Sequence, residues 1–171
     1  MKPPLVIGID PGIRGAHCAL MPLSNQVVFI KNDVKPIEIK QWYDQLLLEC
    51  DLRVIMIENV HSIQGVSAKS NFMFGYNTGT VNAIAALTGS MVDLVNPKKW
   101  QKHIGVTAKG SEIKKNVASI CERLYPNVSV RGPRGGLLDG MSDALMVAHY
   151  ASQHHLIQRP DRTQYAIQTN A

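Results

Sequence analysis

The sequence predicts an α/β fold in which helices pack on the faces of a mixed sheet. Three observations carry that reading. Short β-branched apolar runs end in turn residues, longer segments show apolar positions at helical spacing, and the two kinds alternate along the chain.

Leu5-Val6-Ile7-Gly8-Ile9 is an apolar run stopped by Asp10-Pro11-Gly12, as expected of a buried strand ended by a turn. Ala16 to Met21 and Val27 to Ile30, with Ser24-Asn25 between them, read as antiparallel strands joined to the first by hairpins. Ile37 to Cys50 carries Ile39, Trp42, Tyr43, Leu46 and Leu47 as a helical stripe. Val54 to Ile57 is a buried strand ended by Glu58-Asn59, Phe72 to Leu87 is helical, and Met91 to Val95 is a further core strand. Pro97 to Ile104 and Ser111 to Leu124 read as helices, with Ser111 as the N-cap of the second. Pro126 to Gly136, rich in Gly, Pro and Arg, reads as an irregular loop. Met141 to Tyr150 is a last helix, with Ala144, Leu145, Val147 and Ala148 as its packing positions. The order β-β-β-α-β-α-β-α describes one domain over residues 1–157, followed by a tail over 158–171 whose low apolar content predicts mobility. In such a sheet, function belongs at the carboxyl ends of the strands.

Composition excludes several classes. With 45% hydrophobic and 18% charged residues, the chain has the balance of a soluble globule. No apolar run approaches the roughly 20 residues needed to span a bilayer, and the N-terminus has no signal-peptide pattern. Cys18, Cys50 and Cys121 are odd in number and far apart, so neither a disulfide framework nor a zinc ribbon is indicated, and a reducing cytoplasm is expected. The net charge is +5, but it is not spread evenly. Between Asn96 and Arg134 there are nine Lys or Arg against two acids, whereas residues 1–95 hold seven against eight. A basic strip beside acidic segments is what a phosphodiester enzyme needs, since the strip draws in backbone phosphates and the acids hold cations that let them approach. A solvated, Lys-rich helix face is the plainer reading of the same residues.

Four carboxylates stand out. Asp10 and Glu58 follow buried strands, and if those strands are parallel neighbours both acids emerge at one edge of the sheet. Two bare carboxylates a few Å apart repel, and a divalent cation removes the repulsion. Mg²⁺ suits an all-oxygen donor set of this kind. Asp139 and Asp143, spaced i and i+4, share one helix face. Each acid also has a structural role open to it: Asp10 as a turn cap, Glu58 as a solvent-facing strand end, Asp139 as an N-cap. Asp143 resists that treatment, because an acid inside the apolar run from Met141 to Tyr150 needs a polar destination.

Taken in order, Gly8-Ile9-Asp10-Pro11-Gly12, Ile57-Glu58-Asn59-Val60, and Asp139 followed by Asp143-Ala144-Leu145 resemble the RuvC family over roughly residues 5–150. Val66-Ser67 through Phe74-Gly75 and the run from Asn96-Pro97 through Trp100 to Lys102 resemble its bacteriophage-encoded branch. The resemblance implies an RNase H-like mixed five-stranded sheet with helices on both faces. It implies a homodimeric endodeoxyribonuclease that resolves four-way (Holliday) junctions and other branched DNA. It also implies two Mg²⁺ per active site, with Mn²⁺ able to substitute, held by Asp10, Glu58, Asp139 and Asp143. No small-molecule cofactor or membrane is implied, and a phage-encoded member would work in the bacterial host cytoplasm. Bacterial members space the last two acids i and i+3, and carry an aromatic three residues after the strand-end Glu; here the spacing is i and i+4, and His61 holds the second position. The family also places a Lys near the scissile phosphate, where it would stabilise transition-state charge; Lys114 and Lys115 are both candidates.

The remaining basic residues, Lys98, Lys99, Lys102, Lys109, Arg131 and Arg134, are expected to contact DNA together with His61. Gly75, Gly79 and Ala83 recur every four residues on one helical face and allow close approach, either to the sheet or to a second copy of the helix. A two-fold dimer would present two equivalent sites to a junction. Competing readings are a nuclease of the same fold acting on an RNA–DNA hybrid or flap DNA, a non-catalytic DNA-binding module, and a sugar-kinase-like phosphate loop at Asp10 to Gly15, for which 171 residues are too few.

Overall fold

In a computed structural model, residues 1–60, 65 and 67–156 are described. His61, Val66 and the predicted tail over 158–171 lie outside the described residues. Five strands form one sheet in the order β3-β2-β1-β4-β5. They are β1 (Pro4–Ile9), β2 (Ala16–Met21), β3 (Gln26–Lys31), β4 (Asp51–Glu58) and β5 (Val92–Val95). The first three pair antiparallel as hairpins, while β4 lies parallel to β1 and β5 parallel to β4. Helices α1 (Pro36–Glu49) and α2 (Ala68–Ala86) provide the crossover connections. After β5 come α3 (Pro97–His103), a short 3₁₀ turn over Gly110–Glu112, α4 (Ile113–Leu124) and α5 (Asp139–His155).

The predicted elements are all present, and the differences lie at their ends. Ser111 falls inside the 3₁₀ turn and caps no helix, because α4 begins two residues later. The last helix runs from Asp139 to His155, longer at both ends than its apolar core. The second helix starts at Ala68, where the Ser67 side chain accepts from the Ser70 amide at 3.1 Å.

Strand alternation divides the core in two. Leu5, Ile7, Ile9, Ile55 and Ile57 point to one face and pack with Ile39 and Tyr43 of α1 and Val81, Ile84 and Ala85 of α2. Val6, Val54 and Met56 point to the other and pack with Trp100 of α3, Val117, Ala118 and Cys121 of α4, and a run of α5 residues including Ala144, Leu145, Val147 and Ala148. The continuous apolar reading of β1 and β4 follows from burial on both faces.

On the α1 face, His17 of β2 is fully buried, its Nδ1 2.8 Å from the Tyr43 hydroxyl and its ring edge-on to Trp42 and Tyr43. Burial disfavours the charged ring and pushes its pKa down to about 3. Protons therefore bind the unfolded chain first as pH falls. The stability contributed by neutral His17 is whole above about pH 6.5 and is lost towards pH 3, at up to about 1.4 kcal/mol per pH unit. Denaturant unfolding of the native protein and His17→Gln across this range should give a difference that shrinks as pH falls. A pH-independent difference would show that the ring is solvated.

Candidate active site

Parallel pairing sets Ile9 opposite Ile57, so β1 and β4 end side by side. Since Ile9 and Ile57 face α1 and α2, alternation turns the next residues, Asp10 and Glu58, towards α5. The same alternation puts Gly8 under α5, where a Cβ would lie 2.2 Å from the Ala148 nitrogen and 2.3 Å from the Ala144 oxygen. Only a glycine lets the helix backbone come this close. That approach is what brings Asp143, next to Ala144, down beside the strand ends. Gly140 serves likewise at the start of α5, where a Cβ would meet the Arg14 carbonyl at 2.2 Å.

The turn after β1 is braced from several sides. The Gly12 amide donates to Asp10 Oδ1 at 2.9 Å, and Asn32 Nδ2 donates to the carbonyls of Asp10 and Gly12 at 2.8 and 2.7 Å. Asp10 thus fills the turn-capping role open to it with one oxygen and still reaches the site. Glu58 is buried, 8% exposed, and accepts at 2.8 Å from Nε1 of Trp100, which is wholly buried. Trp100 was legible in the sequence only as an aromatic among lysines. The structure makes it the group that orients Glu58 and holds α3 against the site. Asp139 opens the first turn of α5, where the helix dipole favours an acid, and is ion-paired with Lys114 of α4.

Electrostatics bind these residues into one cluster. Burial pushes the Glu58 carboxyl up to about 7; the Trp100 bond opposes the rise and the Asp10 charge adds to it. Asp10 is raised by burial and by Asp139, against the Gly12 amide and Lys114. Asp143 is raised well above the usual carboxylate range by burial, then by Asp10, Glu58 and Asp139, with Lys114 opposing. Lys114 is raised in turn, first by its bond to Asp139 and also by Asp143 and Asp10. Lys115, by contrast, turns back to Glu112 at 3.1 Å. Consecutive residues on a helix point about 100° apart, and only Lys114 reaches the carboxylates.

Among the described residues, no three His, Cys, Asp or Glu side chains are placed so that together they could hold a metal ion. The chemistry of the donor set nonetheless suits one: oxygen-only carboxylates that raise one another's proton affinity, with Lys114 the one ammonium against them among the described residues, leave negative charge that a hard divalent cation would neutralise.

Lys98, Lys99 and Lys102 lie exposed on α3 around the Trp100 anchor, and Lys109 is exposed ahead of the 3₁₀ turn. Among the described residues none of these, nor Arg134, takes a carboxylate partner. Arg131 differs, since its guanidinium is engaged by Glu122 at 2.5 and 3.3 Å. Gly75, Gly79 and Ala83 are exposed, and a Cβ at either glycine would meet nothing within 4 Å, so this face of α2 does not pack on the sheet.

A solved structure of Thermus thermophilus RuvC in complex with a Holliday junction substrate superposes with a TM-score of 0.60, over 90% of this chain and 96% of that one, at 15% identity. The fold is the one seen in RuvC. A second T. thermophilus RuvC structure (TM-score 0.49, 20% identity, 88% and 97% covered) and the yeast mitochondrial Holliday junction resolvase Ydc2 (0.47, 16%, 86% and 77%) are also similar. No protein-family model matches the sequence, and no curated protein matches it. On the RuvC-like sheet, Asp10 and Glu58 stand at the carboxyl ends of the central strand β1 and its parallel neighbour β4.

The raised carboxyls give a checkable sign. A group whose pKa is raised on folding stabilises below its unfolded value, and that stability is lost as pH rises through the folded value. For Glu58 the window is from about 4.5 to about 7. Without divalent cation, the melting temperature should fall across this window by more in the native protein than in Glu58→Gln. Adding Mg²⁺ above pH 7 should restore it in the native protein only. Equal pH profiles with no Mg²⁺ response would mean that Glu58 is not part of a cation site.

Proposed function

We propose that this protein is a divalent-metal-dependent endonuclease that resolves four-way DNA junctions, with one nuclease domain spanning residues 1–157. The observation that carries the reading is the convergence of Asp10, Glu58 and Asp143 with the Lys114–Asp139 pair at the strand ends of a RuvC-like sheet. The similar T. thermophilus protein was solved bound to a Holliday junction, which supports branched DNA as the substrate. The sequence motifs from Asn96 to Lys102 favour a phage-type member.

Asp10, Glu58 and Asp143 would hold Mg²⁺, with Mn²⁺ as a substitute, and Asp139 would complete the set. Such ions supply charge neutralisation at the phosphate and lower the pKa of water. The chain's own residues do the rest. Trp100 fixes the orientation of Glu58, and its N–H favours the ionised carboxylate. Lys114 holds Asp139 and presents positive charge where a pentavalent phosphate would develop more negative charge. Lys98, Lys99, Lys102, Lys109 and Arg134, without a carboxylate partner among the described residues, offer positive charge for the DNA backbone. Arg131 would first have to leave Glu122, and Lys115 stands outside the reacting groups.

Asp10→Asn keeps the turn's shape and removes one charge. It should bind a synthetic four-way junction within about threefold of the native protein and cleave it at least about 100-fold more slowly in Mg²⁺. Native activity should be greater on the junction than on linear duplex or RNA–DNA hybrid. Undiminished cleavage by Asp10→Asn, or preference for the hybrid, would overturn the assignment.

The dimer expected of a junction resolvase has a candidate surface on α2. Phe72, Tyr76 and Leu87, 72%, 57% and 73% exposed, lie along the same stripe as Gly79 and Ala83. The stripe faces away from Val81, Ile84 and Ala85, which fill the core. Because space beyond Gly79 is open, Gly79→Leu should fold with unchanged circular dichroism, sediment as a monomer, and nick junctions where the native protein resolves them. A Gly79→Leu dimer that still resolves junctions would remove this face from the interface.

A further inference from the structure

Two clefts flank the turn after β1. One, of about 440 Å³, is lined by Arg14, Lys31, Leu138, Asp139 and Met141. The other, of about 360 Å³, is lined by Asp10, Val60, Ser70, Asn71 and Phe74. Ile13 and Arg14 line both, so they form a ridge between them. Each cleft reaches one carboxylate of the cluster, Asp139 in the first and Asp10 in the second.

The clefts differ in chemistry. The first carries two cations, Arg14 and Lys31, and two acids, Asp33 and Asp139. The second is walled by Ile13, Val60 and Phe74, with Ser70 and Asn71 at its polar margin. Ile13 is 46% exposed and follows a turn tied by the Asn32 and Gly12 hydrogen bonds at Asp10 and Gly12. An apolar cleft with an aromatic wall, reaching the Asp10 carboxylate proposed to hold a cation at the scissile phosphate, calls for a ligand that is flat, apolar on its faces and polar at its rim. It must also be attached within one sugar of the phosphate. A nucleobase has these properties, and stacking on an aromatic wall needs no particular base. In an intact duplex the base is paired and stacked; at a branch point the stack is interrupted, and turning a base out costs less.

We infer that the cleft between Ile13 and Phe74 takes one unpaired base, that of a nucleotide adjoining the scissile phosphate, with the Ile13–Arg14 ridge closing it off from the neighbouring cleft. The inference rests on the junction-cleaving function proposed above. It makes Phe74 and Ile13 positioning residues: they set where the phosphate lies over Asp10 and do not touch the reacting atoms.

The test crosses substrate and protein changes. Four-way junctions lacking the base on either side of the cleaved bond are compared with intact junctions, using the native protein, Phe74→Ala and Ile13→Ala. Single-turnover cleavage is measured in Mg²⁺, and binding without divalent cation. One of the two base removals should slow native cleavage and weaken binding about tenfold. Phe74→Ala should cause a similar loss on the intact junction and no further loss on the junction lacking that base. Ile13→Ala, on an exposed turn, keeps the cycle available if Phe74→Ala does not fold. Losses that multiply, or no loss from either base removal, would overturn the cleft as a base site while leaving the nuclease reading in place. A native protein that cleaves no branched DNA would overturn both.

Discussion

The structure depends on how closely α5 lies on β1. At Gly8 there is no room for a side chain, and the helix backbone at Ala144 and Ala148 rests directly on the strand. Everything at the site follows from that contact. A helix held a few Å further away would leave Asp143 short of Asp10 and Glu58. Gly140 extends the same close packing to the turn after β1, so the strand end, the turn and the helix start are fixed by backbone against backbone. This kind of contact has few alternative arrangements, and it suits a site whose charges repel.

That repulsion is the main cost the fold carries. Three carboxyls with raised pKa values lie beside one another, and the structure answers them with limited means: an indole N–H to Glu58, a backbone amide to Asp10, and the Lys114 ammonium at Asp139. These partners orient the acids without neutralising the whole cluster. The residual negative charge would attract a divalent cation, and the Trp100 bond to Glu58 ties to the site the helix that carries the exposed Lys98, Lys99 and Lys102.

The RuvC-like comparison fits this arrangement at the level of the fold. At 15% identity, what is shared with the T. thermophilus protein is the path of the chain over 90% of its length. The residues at the strand ends carry the functional argument, and they do so through their own chemistry. The α2 surface is a separate matter. Its large apolar side chains are exposed although the helix already buries its opposite face, and that two-sided character is what an interhelical contact would require.

Much of the fold was legible in consecutive residues. Apolar runs ended by turn residues located all five strands, and helical stripes located the helices to within a few positions. Asp10 and Glu58 were legible as strand-end acids, and Asp143 as an acid in an apolar run, because each conflicts with its immediate neighbours. What the sequence left open were relations across long separations. Lys114 and Lys115 are equivalent locally; the packing of α4 on α5 brings Lys114 to Asp139, 25 residues away, and leaves Lys115 with Glu112. Trp100 gave no sign of its bond to Glu58, 42 residues distant. The small-residue face of α2 was equally suited to the sheet or to a second copy of the helix, and only the docked helix shows that it does not pack on the sheet. Local periodicity is written into neighbouring residues, whereas the partner of a charge or an indole is chosen by how the elements pack.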